Sequence, residues 1–357
     1  MRRVPSVVGG RNLKAGGLAA AMAVLIVFPL VFTNPTVTSI AVFTLLFMAS
    51  ATAWNVFSGY TGYVSLGHAT FFGTGAYLFA IVAMRFNLSA GSSLFALVPV
   101  AGVAAMVVAV PFGLVALRTR RHTFVVITIA VFFIFQMLAF NLGITQGSSG
   151  IQVPTPNWSP WTFNNPFYYV SLGIVVFATA VSYFLRRSVL GLQLLAIRED
   201  EDRARGLGVP AGKAKLTAFV LSALPVGMAG AVYAYFLGQI FPQFAFSPLF
   251  DLSVVLMALF GGIGTIAGPL LGALLLESLQ QYFTFQFSNG DLYLVIYGGL
   301  FLAVLLLLPR GVIPTVTDYL SRRRARRSSA PAARDSLTQP IGEPRTSPIA
   351  IVTGKAP

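Results

Sequence analysis

Long apolar runs separated by short polar breaks make up most of this chain. The apolar positions are continuous rather than alternating, which predicts helices instead of strands. Such runs cover residues 18–33, 38–57, 65–84, 93–117, 122–142, 167–185, 216–238, 249–260, 265–285 and 292–308. Most approach the ~20 residues needed to cross a hydrocarbon core ~30 Å thick. Helices and closed barrels are the spanning structures that satisfy the backbone in lipid. The pattern therefore predicts an all-α polytopic membrane protein with ten transmembrane helices. The short 249–260 run reads either as a span or as a re-entrant segment; taking it as re-entrant and losing one more segment leaves eight.

Composition strengthens this picture. Of 357 residues, 56% are hydrophobic and 10% are charged, against roughly 25% charged in ordinary globular domains. The net charge of +14 is not a nucleic-acid footprint, because the basic residues sit in short loops and tails. That is the positive-inside pattern. With the N-terminal Arg2, Arg3, Arg11 and Lys14 inside, alternation puts Arg118, Arg120, Arg121, the segment 186–215 and Arg322–Arg327 inside as well. Only Arg85 falls outside. The expected layout is a cytoplasmic segment 1–17, a transmembrane domain 18–313, and a basic cytoplasmic tail 314–357. The tail is too poor in aromatic residues to bury a core and is expected to be disordered. The small-residue stretch Ala19–Ala23 precedes the first apolar run instead of following it, so a retained first helix is expected, not a cleaved leader. There are no cysteines, which excludes disulfides, thiolate metal sites and cysteine nucleophiles.

Charge concentrates in the block 186–215. Glu199, Asp200, Glu201 and Asp202 stand side by side there, four of the chain's ten acidic residues, with seven of its 24 basic residues around them. Leu190, Leu194 and Ile197 share one helical face. The block reads as a docking element for a soluble partner. The segment 143–166, with Trp158 and Trp161, reads either as an interfacial aromatic belt or as an outer ledge for another soluble partner.

Glycine interrupts the apolar pattern twice. One junction runs from Asn55 through Gly59, Tyr60, Gly62, Ser65 and His68 to Thr70; the other holds Gly261, Gly262, Gly264 and Thr265. Interruptions in matching positions of two halves point to a transport site. Gly59, Gly62, Gly261, Gly262 and Gly264 predict broken helices, whereas Gly73, Gly75, Gly268 and Gly272 predict close helix packing. Two halves of five spans each must be inverted relative to one another, so inverted five-helix repeats are expected. Tyr60, Gly62, Ser65, His68, Thr70, Gly261, Gly262, Gly264 and Thr265 are the candidates for a solute path.

No catalytic set is visible. His68 and His122 are the only histidines, and neither has a carboxylate nearby. His68 reads as a path residue or as a structural hydrogen bond to a neighbouring helix. Asp251 and Asp291 read as helix caps, and Glu277 lies mid-span, where an acid is costly and often functional. Neither Gly212-Lys213 nor Gly354-Lys355 is followed by the Ser or Thr of a phosphate-binding loop. The chain is therefore expected to be a transport subunit and not an enzyme, with no cofactor or metal of its own. A stand-alone secondary carrier or channel explains the hydropathy and the broken pairs, but not the charged block.

The motifs GYTGYVSLGHATFFGTGAY (59–77), AIREDEDRARGLGV (196–209), KLTAFVLSALPVGMAGAVYA (215–234), FGGIGTIAGPLLGALLLE (260–277) and LPRGV (308–312) resemble the membrane permease of branched-chain amino-acid ABC importers, the longer LivM-like type. The resemblance covers about residues 40–313. It implies a bacterial plasma-membrane importer with a second related permease, two cytoplasmic ATPases that bind ATP and Mg, and an extracytoplasmic solute-binding protein. Asp202, Ala204 and Gly208 match the spacing of the family's ATPase-coupling loop, which implies coupling roles for Arg198, Glu199, Asp200, Glu201, Asp202, Ala204 and Gly208. Two departures stand out. The family's Gly-Gly-Pro-Asn-Gly-like stretch is replaced by Gln146–Gly150, and its Glu and Arg three residues apart are replaced by Phe133 and Gln136.

Overall fold

The computed structural model describes residues 23–286 together with 298, 299 and 302. The segment 1–17, most of the last span with Asp291, and the tail with Arg322–Arg327 lie outside the described residues, as does the full five-against-five comparison of the repeats. The described residues all fall within one unit, 1–313. The first helix, α1, covers residues 23–31. It is followed by α2 (Pro35–Trp54), α3 (His68–Arg85), α4 (Leu97–Ala116), α5 (Arg121–Asn141) and α6 (Asn164–Arg187). Next come the short α7 (Val189–Glu199) and α8 (Glu201–Gly206) of the charged block. The long α9 (Ala211–Leu237), the turn α10 (Pro242–Ala245), α11 (Pro248–Gly261) and α12 (Ala267–Gln286) complete the described part.

Among the described residues, six stretches are long and apolar enough to cross a membrane by themselves: Pro35–Gly59, Ser92–Ala116, Arg121–Asn141, Asn164–Arg187, Ala211–Leu237 and Pro242–Gly261. α3 and α12 stand where the third and ninth spans were expected. Their apolarity is diluted, in α3 by His68, Thr70 and Thr74 and in α12 by Glu277, Gln280 and Gln281. α11 alone has 14 residues, about 21 Å at 1.5 Å per residue, less than the ~30 Å core. It reaches spanning length only together with α10.

α9 is the axis of the bundle. It is rich in alanine and glycine, and Ala218, Ala223, Ala229, Ala231 and Ala234 are fully buried. Small residues let backbones approach closely where lipid supplies no hydrophobic drive. At its tightest contact with α3, a Cβ on Gly75 would stand 2.0 Å from the Gly227 carbonyl oxygen. Pro225 lies inside α9 and Pro111 inside α4. The connection after α5 is not a free loop. Its Ile151 and Gln152 pair antiparallel with Ile240 and Gln239 just beyond α9, which pins that end of the bundle.

α2 does not end as an α-helix. It passes into a π-helical turn, Asn55–Gly59, a form that is rare outside single bulges. The chain then runs non-helically past Gly62 to Gly67 before α3 begins at His68. The Trp54 indole braces this detour by donating to the Ser65 carbonyl (2.8 Å). α3 starts beside the first turn of α11, where the Ala69 N–H donates to Asp251 Oδ1 (3.0 Å). Asp251 thus caps a helix, but a neighbouring one and not its own. Gln136, in the position of the expected charged pair, donates to the Phe246 carbonyl just before α11 (2.6 Å).

Candidate functional site

The two glycine junctions, some 200 residues apart in sequence, meet at the end of the bundle that carries the charged block. Asn55, wholly buried in the π-helical turn, joins them. Its Nδ2 donates to the Thr265 carbonyl (2.9 Å) and its Oδ1 accepts from the Gly264 N–H (2.7 Å). One side-chain amide therefore satisfies both kinds of backbone group freed where the second junction leaves helical geometry.

Arg198, in the last turn of α7, reaches into the same place. Its Nη1 donates to the Gly59 carbonyl (2.8 Å). Gly62 and Gly264 shape the slot for that side chain. Both take left-handed φ, +72° and +78°, which side chains disfavour. A Cβ on Gly264 would come within 2.3 Å of Arg198 Nη1, and one on Gly62 within 3.2 Å of Arg198 Cγ. Arg121, from the start of α5, holds the end of α7 by donating to the carbonyls of Ile197 (2.9 Å) and Arg198 (2.6 Å). A cation on the last carbonyls of a helix is favourable for both hydrogen bonding and dipole reasons.

A second knot lies alongside. Glu201 accepts from Lys215 Nζ (2.7 Å) and from Arg205 Nη2 (2.6 Å) through Oε1. Its Oε2 accepts from the Tyr63 hydroxyl. Lys215 also donates to Tyr63 Oη (3.1 Å) and lies 4.2 Å from the centre of the Tyr63 ring. Burial pushes the Glu201 carboxyl up, but the bonds from Lys215 and Tyr63 and the nearby cations outweigh it and hold the group below its ordinary value. Burial and the Glu201 bond push the Tyr63 phenol well up, so it stays a donor.

The coupling candidates divide accordingly. Arg198 and Glu201 face the junctions, and Ala204 is buried at 2% exposure. Asp200 caps α8 by accepting from the Arg203 N–H (3.0 Å). Glu199, Asp202 and Gly208 are exposed, and Gly208 has φ +86° with open space around it. The apolar face of α7 turns inward: Leu194 and Ile197 are fully buried in the permease itself. The apolar side chains presented outward are Val189, Leu192 and Leu207.

The path candidates also divide. Gly261 closes α11, and Gly262 follows with φ +119°. Thr265 shapes the start of α12, its Oγ1 donating to the Gly262 carbonyl (2.8 Å) and accepting from the Gly268 N–H (3.0 Å). Tyr60 leaves the junction and bonds Ser182 of α6 (2.7 Å). His68 lies deeper, its Nδ1 against Ser65 Oγ (3.0 Å) and its Nε2 against Ser222 Oγ of α9 (3.1 Å). Thr70 is buried, and its Oγ1 has no partner among the described residues. Asn55, Tyr63, Arg121 and Lys215 were not among the site candidates taken from the sequence. Lys215 carried a readable signal, a charge directly before an apolar run and two residues after Lys213.

A multi-pass helical bundle with interrupted helices tied to a charged surface element defines a membrane permease. A family model described as the branched-chain amino acid transport system permease component matches residues 15–305, and the chain belongs to that family, one of transport proteins and not of enzymes. The chain is 29% identical to the high-affinity branched-chain amino acid transport system permease protein LivM of Escherichia coli, over 89% of this chain and 79% of the relative. It is 25% identical to LivH of the same organism, over 74% of this chain and 89% of the relative. An L-arabinose ABC transporter permease protein, AraH of Azospirillum brasilense, matches at 28% identity over 54% of this chain and 58% of the relative. No solved structure matches the chain significantly.

Proposed function

We propose that this chain is the LivM-like permease of an ABC importer for branched-chain amino acids, working by alternating access. It stands in a bacterial plasma membrane with both termini cytoplasmic. Separate ATPases bind ATP and Mg and press on the charged block. A related permease completes the membrane path, and an extracytoplasmic binding protein delivers the solute. The LivM and LivH relatives, covered over 79% and 89% of their own length, are named for branched-chain amino acid transport, which favours that solute class over the sugar of the match that covers 58%. Membership of a family of transport-system components favours this reading over a stand-alone carrier.

The observation that carries the mechanism is the bond from Arg198 to the Gly59 carbonyl, in a slot bounded by Gly62 and Gly264. A displacement of α7 and α8 is transmitted to both broken helices, because the Arg198 side chain touches both. Glu201 and Tyr63 form a parallel strut. Exposed Asp202, Leu207 and Gly208 are the surface left for an ATPase.

The test is reconstitution of the permease with its neighbouring-gene subunits in proteoliposomes. ATP-dependent uptake of L-leucine and co-purification of ATPase activity are the expected results. A permease that moves leucine without any ATPase subunit overturns the reading.

A further inference from the structure

Glu277 has no part in the junctions, yet it is an isolated acid deep in the bundle. It lies mid-way along α12 and is 0% exposed. Its Oε1 accepts from Gln281 Nε2 (2.7 Å), while Oε2 has no partner among the described residues. The nearby Gln280 Oε1 is buried and unpartnered too. An unpaired carboxyl within a membrane span is expensive and marks a functional site by default.

This carboxyl lines a cavity of about 180 Å³ bounded by α2, α3, α9, α11 and α12. One wall is aromatic, with Phe43, Phe47, Phe72 and Tyr233. Another is the start of α11, where Ser247 is the cap residue but its side chain makes no capping bond. The first turn of α11 carries the positive end of the helix dipole; its Phe250 N–H is taken by the Ser247 carbonyl (3.1 Å), and the Asp251 carboxyl of that turn accepts from the Ala69 N–H of α3. Exposed Phe244 and Leu249 border the cavity. One space therefore combines a lone acid, the electropositive end of a half-length helix and an apolar wall.

We propose that this cavity is a station for a zwitterionic amino acid with an aliphatic side chain. Glu277 binds the ammonium group, the first turn of α11 faces the carboxylate, and the Phe rings take the side chain. The proposal rests on the transport reading above and adds the place where the solute is held within the membrane.

The absence of cysteine makes a clean test possible in the full reconstituted complex. A Gln280→Cys permease, its thiol lining the cavity on the α12 turn that follows Glu277, should react with a cationic thiosulfonate about tenfold or more faster than with an anionic one, since a charged cleft concentrates its counter-ion to that degree. Glu277→Gln should erase the preference, and L-leucine should slow the reaction only when Glu277 is present. In leucine uptake, Glu277→Gln should lose about tenfold or more, as when one member of a buried charge pair is removed, with Glu277→Asp intermediate. A Glu277→Gln complex that assembles and imports leucine like the wild type overturns this proposal alone, and so does a Gln280→Cys thiol showing no cationic preference. A wild-type complex that imports no aliphatic amino acid overturns the functional reading, and this proposal with it.

Discussion

Replacing Arg198 by alanine isolates the link between the charged block and the broken helices. The side chain donates one charged hydrogen bond to the Gly59 carbonyl at 2.8 Å and fills the slot beside Gly62 and Gly264. A hydrogen bond from a charged donor contributes about 1.5–3 kcal/mol. Lost from one state of the transport cycle, that is on the order of 10- to 100-fold in the equilibrium between engaged and disengaged blocks. The Glu201–Tyr63 strut remains, so α7 and α8 should stay folded and an ATPase should still bind. Leucine taken up per ATP hydrolysed should therefore fall by about tenfold or more, while expression and complex assembly hold. Arg198→Lys keeps the charge but not the planar fork and should sit between the two. An Arg198→Ala complex with an unchanged ratio of uptake to hydrolysis would refute the reasoning, because the block would then drive the helices by some other contact.

The remaining predictions can be checked in the same complex. Gly264→Ala adds a Cβ within 2.3 Å of Arg198 Nη1 at φ +78°; it should displace the guanidinium and reproduce the uncoupling of Arg198→Ala, at about 1–3 kcal/mol of backbone strain read as a lowered melting temperature. Asp202→Arg changes an exposed side chain and should leave the permease inserted while ATPase capture in pull-down falls to background; normal capture would move the docking surface elsewhere. Glu201 has a lowered pKa in the fold, so its contribution is present above the ordinary carboxylate value of 4.5 and is lost only as pH falls through the lower folded value. Limited proteolysis of the 186–215 block should accordingly be the same at pH 7 and pH 6 and rise only under strongly acid conditions, and Glu201→Gln should remove that rise.

Apolar run length was enough to place the long helices, because burial in lipid imposes one simple demand on every residue of a span. Local backbone demands were legible too: Gly62, Gly262 and Gly264, read as chain breaks, all take positive φ. What periodicity does not contain is direction. The spacing of Leu190, Leu194 and Ile197 gives a common face, but whether that face meets a partner or the permease's own core depends on where α6 and α9 leave room. Leu194 and Ile197 face the core. Nor does spacing reveal bonds between distant segments. Tyr63 and Glu201 are 138 residues apart, and no local pattern in either marks the other. The π-helical turn at Asn55–Gly59 has no apolar signature, since it shifts the hydrogen-bond register and leaves the composition unchanged.

The Asn55 amide also bears on how the molecule is made. The hairpin between α11 and α12 cannot satisfy its own backbone: the Gly264 N–H and the Thr265 carbonyl both find their partner in a side chain about 210 residues earlier in the chain. Synthesis runs from the N-terminus, so α2 is already in the bilayer when the hairpin leaves the ribosome. The late hairpin is therefore templated by an early helix, and its insertion is complete only once it has found that helix among all the spans that arrived in between. Replacing Asn55 by leucine leaves both backbone groups without that partner, and its loss should appear first as a lower yield of folded permease, before any change in transport per molecule.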